Sequence, residues 1–312
     1  MLFHLVTLDP VAVELVDDTM IALARSIPIF QPTVEEAVRG HPAALLLVEF
    51  AEEDVAENER RLRQLHEMMG DLGFGWDKPN DWRGGVVDAI DPAMQGRIAE
   101  WRKSGLNIMM SMKNEAKPVS FLEDCAVELK DLADYTDRLT KIFDKHDAKG
   151  TWYAHASVGC LHVRPVLDMK QAAGAETMRA IAEEAFALVR EFGGSHSGEH
   201  GDGIVRSEFN DMMFGPVLPD LFRQVKAMFD PKGMFNPGKI TDAPKMDDRS
   251  LFRFAPGYEV EGVDSILDWA EWPGAAGGLQ GAVEMCNNNG ACRKLEGGVM
   301  CPSYRATRNE RD

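Results

Sequence analysis

The stretch Thr151–Pro165, TWYAHASVGCLHVRP, carries the most information about how this chain folds. TWYAHAS and CLHVRP each have the length and residue types of a short strand, and Val158-Gly159 between them suits a tight turn, so the segment reads as a hairpin. His155 and His162 lie seven residues apart, near the outer ends of the two strands. Pairing of the strands would bring both imidazoles onto one rim.

Working outward, Met178, Ile181, Ala185, Val189 and Phe192 recur at helical spacing, and Gly193-Gly194 supplies the usual glycine stop. Upstream, Leu132, Tyr135, Leu139, Ile142, Phe143 and His146 share one face of a helix with acidic residues opposite. Nearer the start, Leu2–Leu8 reads as a strand leading through Asp9-Pro10 into a helical pattern. Ala44–Phe50 reads as a second strand, and Val55, Leu62, Leu65 and Met69 as a helix stopped by glycines at 70, 73 and 75. Val86–Ile90 is a further strand candidate, and Asp91-Pro92 caps a helix carrying Arg97, Trp101 and Arg102. A helix near Pro219–Phe229 runs into DPKGMFNPGK, where two prolines and two glycines impose an ordered turn.

Strands and helices mixed without a sustained parallel repeat predict an α+β domain, an antiparallel sheet covered by helices. From Ala243 to Gly281 the pattern weakens into Pro, Gly, Asp and isolated aromatics, and the last thirty residues form a cysteine-bearing unit. The expected division is a domain over 1–242, a linker or irregular extended arm over 243–281, and a separate unit over 282–312.

The bulk numbers exclude several function classes. At 312 residues a substantial core is available without disulfide or metal staples. Lys and Arg number 34 against 51 Asp and Glu, a net charge of -17, and no basic block occurs, which argues against nucleic acid as a partner. Five cysteines, two isolated and three near the C-terminus, do not form a disulfide framework and point to a reducing compartment. The N-terminus has no basic segment before an apolar run, and the longest apolar stretch, Ala43–Val48, is too short to span a bilayer. The expected location is cytoplasmic, with peripheral association at the inner membrane face allowed.

The chemistry-bearing residues gather in two places. His155 and His162 are joined by SGEHGDG, which sets Glu199 and His200 in a glycine-rich loop whose backbone can approach a ligand closely. Two imidazoles and a carboxylate suit a divalent metal such as zinc or manganese. By residue type alone two separated histidines are more often structural than ligating, whereas Glu199-His200 in a glycine-flanked loop read equally as functional or structural.

Three runs, WYAHASVGCLHVRPVLDM, GGSHSGEHGDGIVRSE and FDPKGMFNPGKI, are similar in order and spacing to the C-terminal substrate (cap) domain of FAD-linked oxidases. These are the vanillyl-alcohol-oxidase-like flavoproteins that include D-lactate dehydrogenases, the glycolate oxidase flavin subunit and D-2-hydroxyglutarate dehydrogenases. The resemblance covers most of residues 1–245 and implies a sheet domain with ferredoxin-like elements. It implies that His155, His162 and Glu199 hold a divalent metal and that His200 is the general base. One departure is that many relatives have Gly-Asp-Gly-Asn between the histidines where this chain has Ser157-Val158-Gly159-Cys160. The resemblance also implies that Asn236 and Lys239 of the NPGK turn lie near the flavin. It further suggests Arg102, within WRKSG, as a substrate carboxylate ligand with Lys117 as a second candidate. Read as residues alone, the turn could be a plain proline-glycine turn and Arg102 a solvated helix-end charge.

In CNNNGACRKLEGGVMCPSYRAT, Cys286, Cys292 and Cys301 are spaced by six and nine residues with Pro302 after the last. Thiolates beside a Cys-Pro end suit an iron-sulfur cluster or remain three thiols. The resemblance favours the cluster, because a subset of the family is fused to a ferredoxin-like module. The sequence ends at Asp312 before a fourth cysteine, so the expectation is a truncated module, cluster-free as it stands. Cys125 and Cys160 are expected to pack as small apolar side chains.

The function implied is part of a flavin-dependent dehydrogenase. It would oxidise a small D-2-hydroxy acid to the 2-oxo acid, reduce FAD, and pass electrons through iron-sulfur centres to a quinone, cytochrome or other carrier. The chain alone, lacking a glycine-rich nucleotide-binding segment, is expected to be inactive. Two other classes are compatible with the residues: a metallohydrolase using the same His, His and Glu, and a non-catalytic partner-binding subunit.

Overall fold

The hairpin forms because Gly159 can do what a side-chain-bearing residue there cannot. It adopts φ +71°, in the left-handed region, and a Cβ at this position would lie 2.0 Å from the Val127 carbonyl oxygen. In the computed structural model, which describes residues 1–77, 84–259, 265–272, 278–286 and 306–307, that turn joins two strands of a six-stranded antiparallel sheet.

In chain order the elements are α1 (Leu2–Val6), β1 (Ala12–Asp17), α2 (Asp18–Ser26), α3 (Gln31–Ala37), β2 (Ala44–Glu49), α4 (Val55–Asp71), α5 (Pro92–Lys103) and α6 (Gly105–Met109). They continue with β3 (Lys117–Pro118), β4 (Leu122–Ala126), α7 (Leu132–Lys145), β5 (Gly150–His155), β6 (Cys160–Leu167), α8 (Ala172–Glu191), α9 (Asn210–Phe214), α10 (Val217–Phe229) and α11 (Gly278–Glu284). The sheet runs β2-β1-β5-β6, and β3 and β4 share the far edge of β6. The expected α+β architecture is what the chain adopts.

Strand alternation divides the side chains between two faces. Val13, Leu122, Cys125, Ala154, Leu161 and Val163 point into the larger core, closed by Tyr135, Leu139 and Phe143 of α7 and by Ile181, Ala185, Phe186 and Val189 of α8. Each such fully buried large side chain contributes roughly 1.5–3 kcal/mol. Val16 on the other face joins Met20, Ile21, Ala24, Val34, Trp101 and Ile108 in a smaller core under α2, α3, α5 and α6. The candidate site lies on this second face. Asp17 ties the layers together: its carboxylate caps α2 by accepting from the Met20 N–H at 2.9 Å and takes the Trp152 N–H of β5 at 2.8 Å.

Two local expectations are corrected. Leu2–Leu8 is not a strand: residues 2–6 form the short helix α1, and its Leu5 is buried in the larger core. The strand lies where a helical pattern was expected, at β1. A strand from 2–8 could not pair with β1, the next strand in the chain, because both edges of β1 are taken, by β2 and by β5. Buried Glu14 and Asp17 hid the strand periodicity of AVELVD. Val86–Ile90 is likewise not a strand. It is irregular, with no ladder partner among the described residues, and the Val86 carbonyl accepts instead from the Trp76 indole N–H at 2.9 Å.

Residues 1–112 and 116–258 form one compact unit and residues 113–115 with 259–312 a second. Within the second, Lys113 pairs with Glu271 at 3.3 Å and lies over the Trp272 ring. No helix among the described residues is long and apolar enough to cross a membrane.

Candidate metal and proton-transfer site

Strand register assembles the centre of the site. Tyr153 of β5 lies opposite His162 of β6, and His155 lies opposite both Cys160 of β6 and Glu14 of β1. Alternation then puts Glu14, Tyr153, His155, Cys160, His162 and Arg164 on the same face. The His155 and His162 rings meet edge to face, centroids 4.8 Å apart, and His200 stacks on His162 at 5.2 Å.

Glu199 and His200 arrive on the loop after α8. Gly193 ends that helix at φ +68°, and Ser195 then exchanges two 2.9 Å backbone hydrogen bonds with Ala126, pinning the loop to β4. The Gly198 N–H donates to the Asp124 carbonyl at 2.7 Å, and a Cβ on Gly198 would come within 2.8 Å of that oxygen. Glu199 Oε1 consequently sits 3.0 Å from His162 Nε2, 3.5 Å from His155 Nε2 and 3.4 Å from His200 Nε2. One ligand atom each from His155, His162 and Glu199 lies within 4.8 Å of the others. That donor set, two nitrogens and one oxygen, fits a divalent metal of the zinc or manganese type.

The outer contacts tune these groups. Glu14, buried at 4% exposure, takes His155 Nδ1 at 2.7 and 2.9 Å, which directs Nε2 toward Glu199. It also accepts from the Tyr153 hydroxyl at 2.7 Å and from Arg102 at 2.7 Å. Burial raises the Glu14 carboxyl, but His155, Tyr153 and Arg102 together hold it below the usual range. The hydrogen bond that His155 donates to Glu14 holds its imidazole above the usual value, whereas burial, reinforced by the charge of His155, lowers His162. Cys160 is buried and its thiol lies 3.8 Å from Glu199; burial pushes it up to about 12, so it stays protonated.

Beside these groups opens a cavity of about 460 Å³, with Arg102, Lys103, Arg164, Tyr153, His162 and His200 among its lining. Arg102 reaches it from α5, which begins at Pro92 because the Asp91 carboxylate caps the Met94 N–H at 3.0 Å. Buried Trp101 anchors the helix in the smaller core and leaves the next side chain turned to the cavity. Arg102 Nε donates to the Tyr153 hydroxyl at 2.8 Å and Nη2 to Glu14. Burial lowers Arg164 to about 10, and it pairs with Glu123 of β4.

Of the residues singled out from sequence, His155, His162, Glu199, His200 and Arg102 come together. Lys117, on β3, donates to the Met112 carbonyl and is not among the side chains lining the cavity. Asn236, at φ +45°, and Lys239 are exposed on the turn after α10, which Asp230 organises by accepting the Met234 and Phe235 N–H groups at 2.9 Å each. Cys286 is exposed just beyond α11, while Cys292 and Cys301 fall outside the described residues. Sequence reasoning missed Glu14, Tyr153, Arg164, Glu123, Asp124 and Arg206. Tyr153 and Arg164 could have been found by stepping two residues along each strand from the histidines. The others meet the site only through the fold.

Comparison with known proteins bears on this geometry. The family model described as FAD linked oxidases, C-terminal domain, matches residues 4–240. A D-2-hydroxyglutarate dehydrogenase of Pantoea ananatis is 32% identical over 313 residues, 96% of this chain and 28% of that protein. The Escherichia coli D-2-hydroxyglutarate dehydrogenase is 32% identical over 96% of this chain and 29% of its own length. Glycolate oxidase subunit GlcD of Bacillus subtilis is 29% identical over 46% of this chain and 30% of that protein. Among solved structures, 4-ethylphenol oxidase from Gulosibacter chungangensis matches with TM-score 0.45 and 14% identity, over 75% of this chain and 48% of that one. The chain therefore spans under a third of the length of the dehydrogenases it matches.

Proposed function

The chain belongs to the family of FAD linked oxidases, C-terminal domain, and from that membership we propose that it is the substrate-handling part of a longer flavin-dependent dehydrogenase acting on a small D-2-hydroxy acid. The observation carrying this reading is the convergence of His155, His162, Glu199 and His200 beside a cavity that presents Arg102. Relatives named D-2-hydroxyglutarate dehydrogenase make 2-hydroxyglutarate the first substrate to test.

His155, His162 and Glu199 would hold the metal, and Asn236 and Lys239 would contact the flavin. When bound, a divalent metal supplies Lewis acidity at the substrate hydroxyl and FAD supplies the hydride acceptor. His200 then takes the hydroxyl proton, because it is the imidazole on this rim not committed to Glu14 or to the ligand set. Its stacking on His162 fixes the ring plane from which it acts. Arg102, already aligned by Tyr153 and Glu14, offers its remaining donors to the substrate carboxylate. Loss of the proton to His200 is what makes hydride departure from C2 feasible, since hydride loss from a neutral alcohol would leave positive charge on carbon.

The stretch 282–312 we assign to the start of an iron-sulfur module with Cys286, Cys292 and Cys301 as ligands, passing electrons on to a quinone, cytochrome or other carrier. The domain division that goes with this is 1–242, 243–281 and 282–312.

The test is a screen of D-2-hydroxy acids with a dye acceptor on the full-length protein carrying the FAD domain, beside an ester and amide panel. Dehydrogenation that falls about 10²–10⁴-fold in His200→Ala supports the reading. Normal turnover in that variant, or hydrolysis without flavin, rejects it.

A further inference from the structure

We propose that Asp124 is a positioning residue of this site: its buried carboxylate, locked by Arg206, fixes the backbone from which Glu199 and His200 project. The inference rests on the roles given to those two side chains above and deepens them.

The need for such a device is visible in the loop. Its side chains at 199 and 200 are 42% and 46% exposed, so packing does not hold them. Glycines at 198, 201 and 203, the last two at φ +79° and +58°, make the segment entropically costly to order. An uncompensated loop of this composition would spread its side chains over several positions, and misplacement of reacting groups by about 1 Å costs on the order of 10²-fold in rate.

Asp124 supplies the compensation. It is 0% exposed and sits at φ +58° in the bulge of β4, between Glu123 and Cys125. That irregularity turns its side chain along the loop. Oδ2 accepts the N–H of Glu199 at 2.7 Å, the N–H of His200 at 2.6 Å and the Ser197 hydroxyl at 3.4 Å. Two successive backbone N–H groups on one oxygen form an anion-holding nest, here wrapped around a protein carboxylate. The same residue's carbonyl takes the Gly198 N–H, so loop positions 197 to 200 all bond to Asp124.

A carboxylate this buried requires a counter-charge. Arg206 provides it, pairing with Oδ1 while its own side chain is 9% exposed. Its guanidinium also donates to the carbonyls of Glu123, His196 (3.2 Å) and Gly201 (2.6 Å). The ion pair thus grips both arms of the loop, 196–201 from one side and the segment leading to 206 from the other. With no exposed atom, Asp124 does not meet a substrate; it acts through the two residues it holds.

Two readouts on the 312-residue chain separate positioning from plain folding. The first is zinc affinity by competition with a chromophoric chelator, and the second is hydrogen exchange at the Glu199 and His200 amides. Asp124→Asn sets an amide N–H₂ against either Arg206 or the two loop N–H groups, since its single oxygen cannot serve both, and the double variant Asp124→Leu with Arg206→Met replaces the whole pair by apolar groups, so that no unpaired charge is left buried. The expected result is a zinc affinity lowered by about 10–100-fold in both. Exchange at the two amides should quicken by at least about tenfold in the double variant, where their hydrogen bonds to Asp124 are lost, while its circular dichroism spectrum shows it folded. A folded double variant that binds zinc within about twofold of the parent and keeps both amides protected overturns the proposal. If the parent itself binds no zinc, the metal assignment fails, and amide exchange alone decides the positioning role.

Discussion

Glu14 Oε2 lies 2.7 Å from Nδ1 of His155, across the β1–β5 ladder and 141 residues away in sequence. A carboxylate on the far nitrogen raises the basicity of an imidazole ligand and fixes its tautomer. Glu14→Gln should keep the fold yet weaken zinc binding by about 10–100-fold, read by chelator competition alongside a circular dichroism spectrum. Unchanged affinity would mean that His155 needs no such partner.

Arg102 is aligned by two acceptors, Tyr153 and Glu14, before any substrate arrives. In the full-length protein, Arg102→Met should raise KM for the 2-hydroxy acid by about tenfold or more, the weight of a charge-assisted bidentate contact. Arg102→Lys should recover little of it, because an ammonium cannot satisfy Tyr153, Glu14 and a carboxylate in one plane. Equal KM values for parent and Arg102→Met would remove Arg102 from the substrate contacts.

Gly159 separates His155 from His162 by a turn that tolerates no Cβ. Gly159→Ala meets the Val127 carbonyl and places a side chain in the left-handed region, at about 1–2 kcal/mol for the backbone alone. Both the melting temperature and zinc affinity should fall together, since the β5–β6 register carries His155 and His162. A drop in stability with zinc binding intact would show that the turn does not set the ligand spacing.

The turn after α10 should show acid sensitivity of a definite sign. The Lys226 ammonium, with the Phe235 and Met234 N–H groups, holds the Asp230 carboxyl down at about 2. A carboxyl lowered on folding adds stability that is complete above its unfolded pKa of about 4, and that stability is lost as pH falls through about 2. The melting-temperature gap between the parent and Asp230→Asn should therefore be full at neutral pH and shrink as pH is taken toward 2. A gap independent of pH would assign the turn's stability to something other than that carboxylate.

Much of the candidate site was legible because its residues come in two short, locally dense motifs. His155 and His162 are joined by one turn, and Glu199-His200 are adjacent, so hairpin chemistry and a glycine-rich loop sufficed to point to them. The helices α7 and α8 were legible from their apolar stripes, of which Leu132, Tyr135, Leu139, Phe143, Met178, Ile181, Ala185 and Val189 are buried in the larger core. What stayed hidden depends on register between distant segments. Glu14 is a carboxylate in a strand that sequence periodicity reads as helical, and only its pairing with Tyr153 and His155 explains why burial there is tolerated. Asp124 is hidden for a similar reason, because a bulge in β4 and an arginine 82 residues further on decide its role. The apolar segment at 2–8 misled because a short apolar run fits a buried helical turn as readily as a strand.

The separation of the two cores by the sheet has an evolutionary consequence. Strands β1, β5 and β6 are moored through Val13, Ala154, Leu161 and Val163 on one side and display the reactive groups on the other. Changes among Met20, Leu106, Met109 and Ala99, which border the cavity from the helical cover, can therefore reshape the cavity without disturbing the foundation under the histidines. Lineages sharing this scaffold can vary the shape of that recess by editing the roof alone.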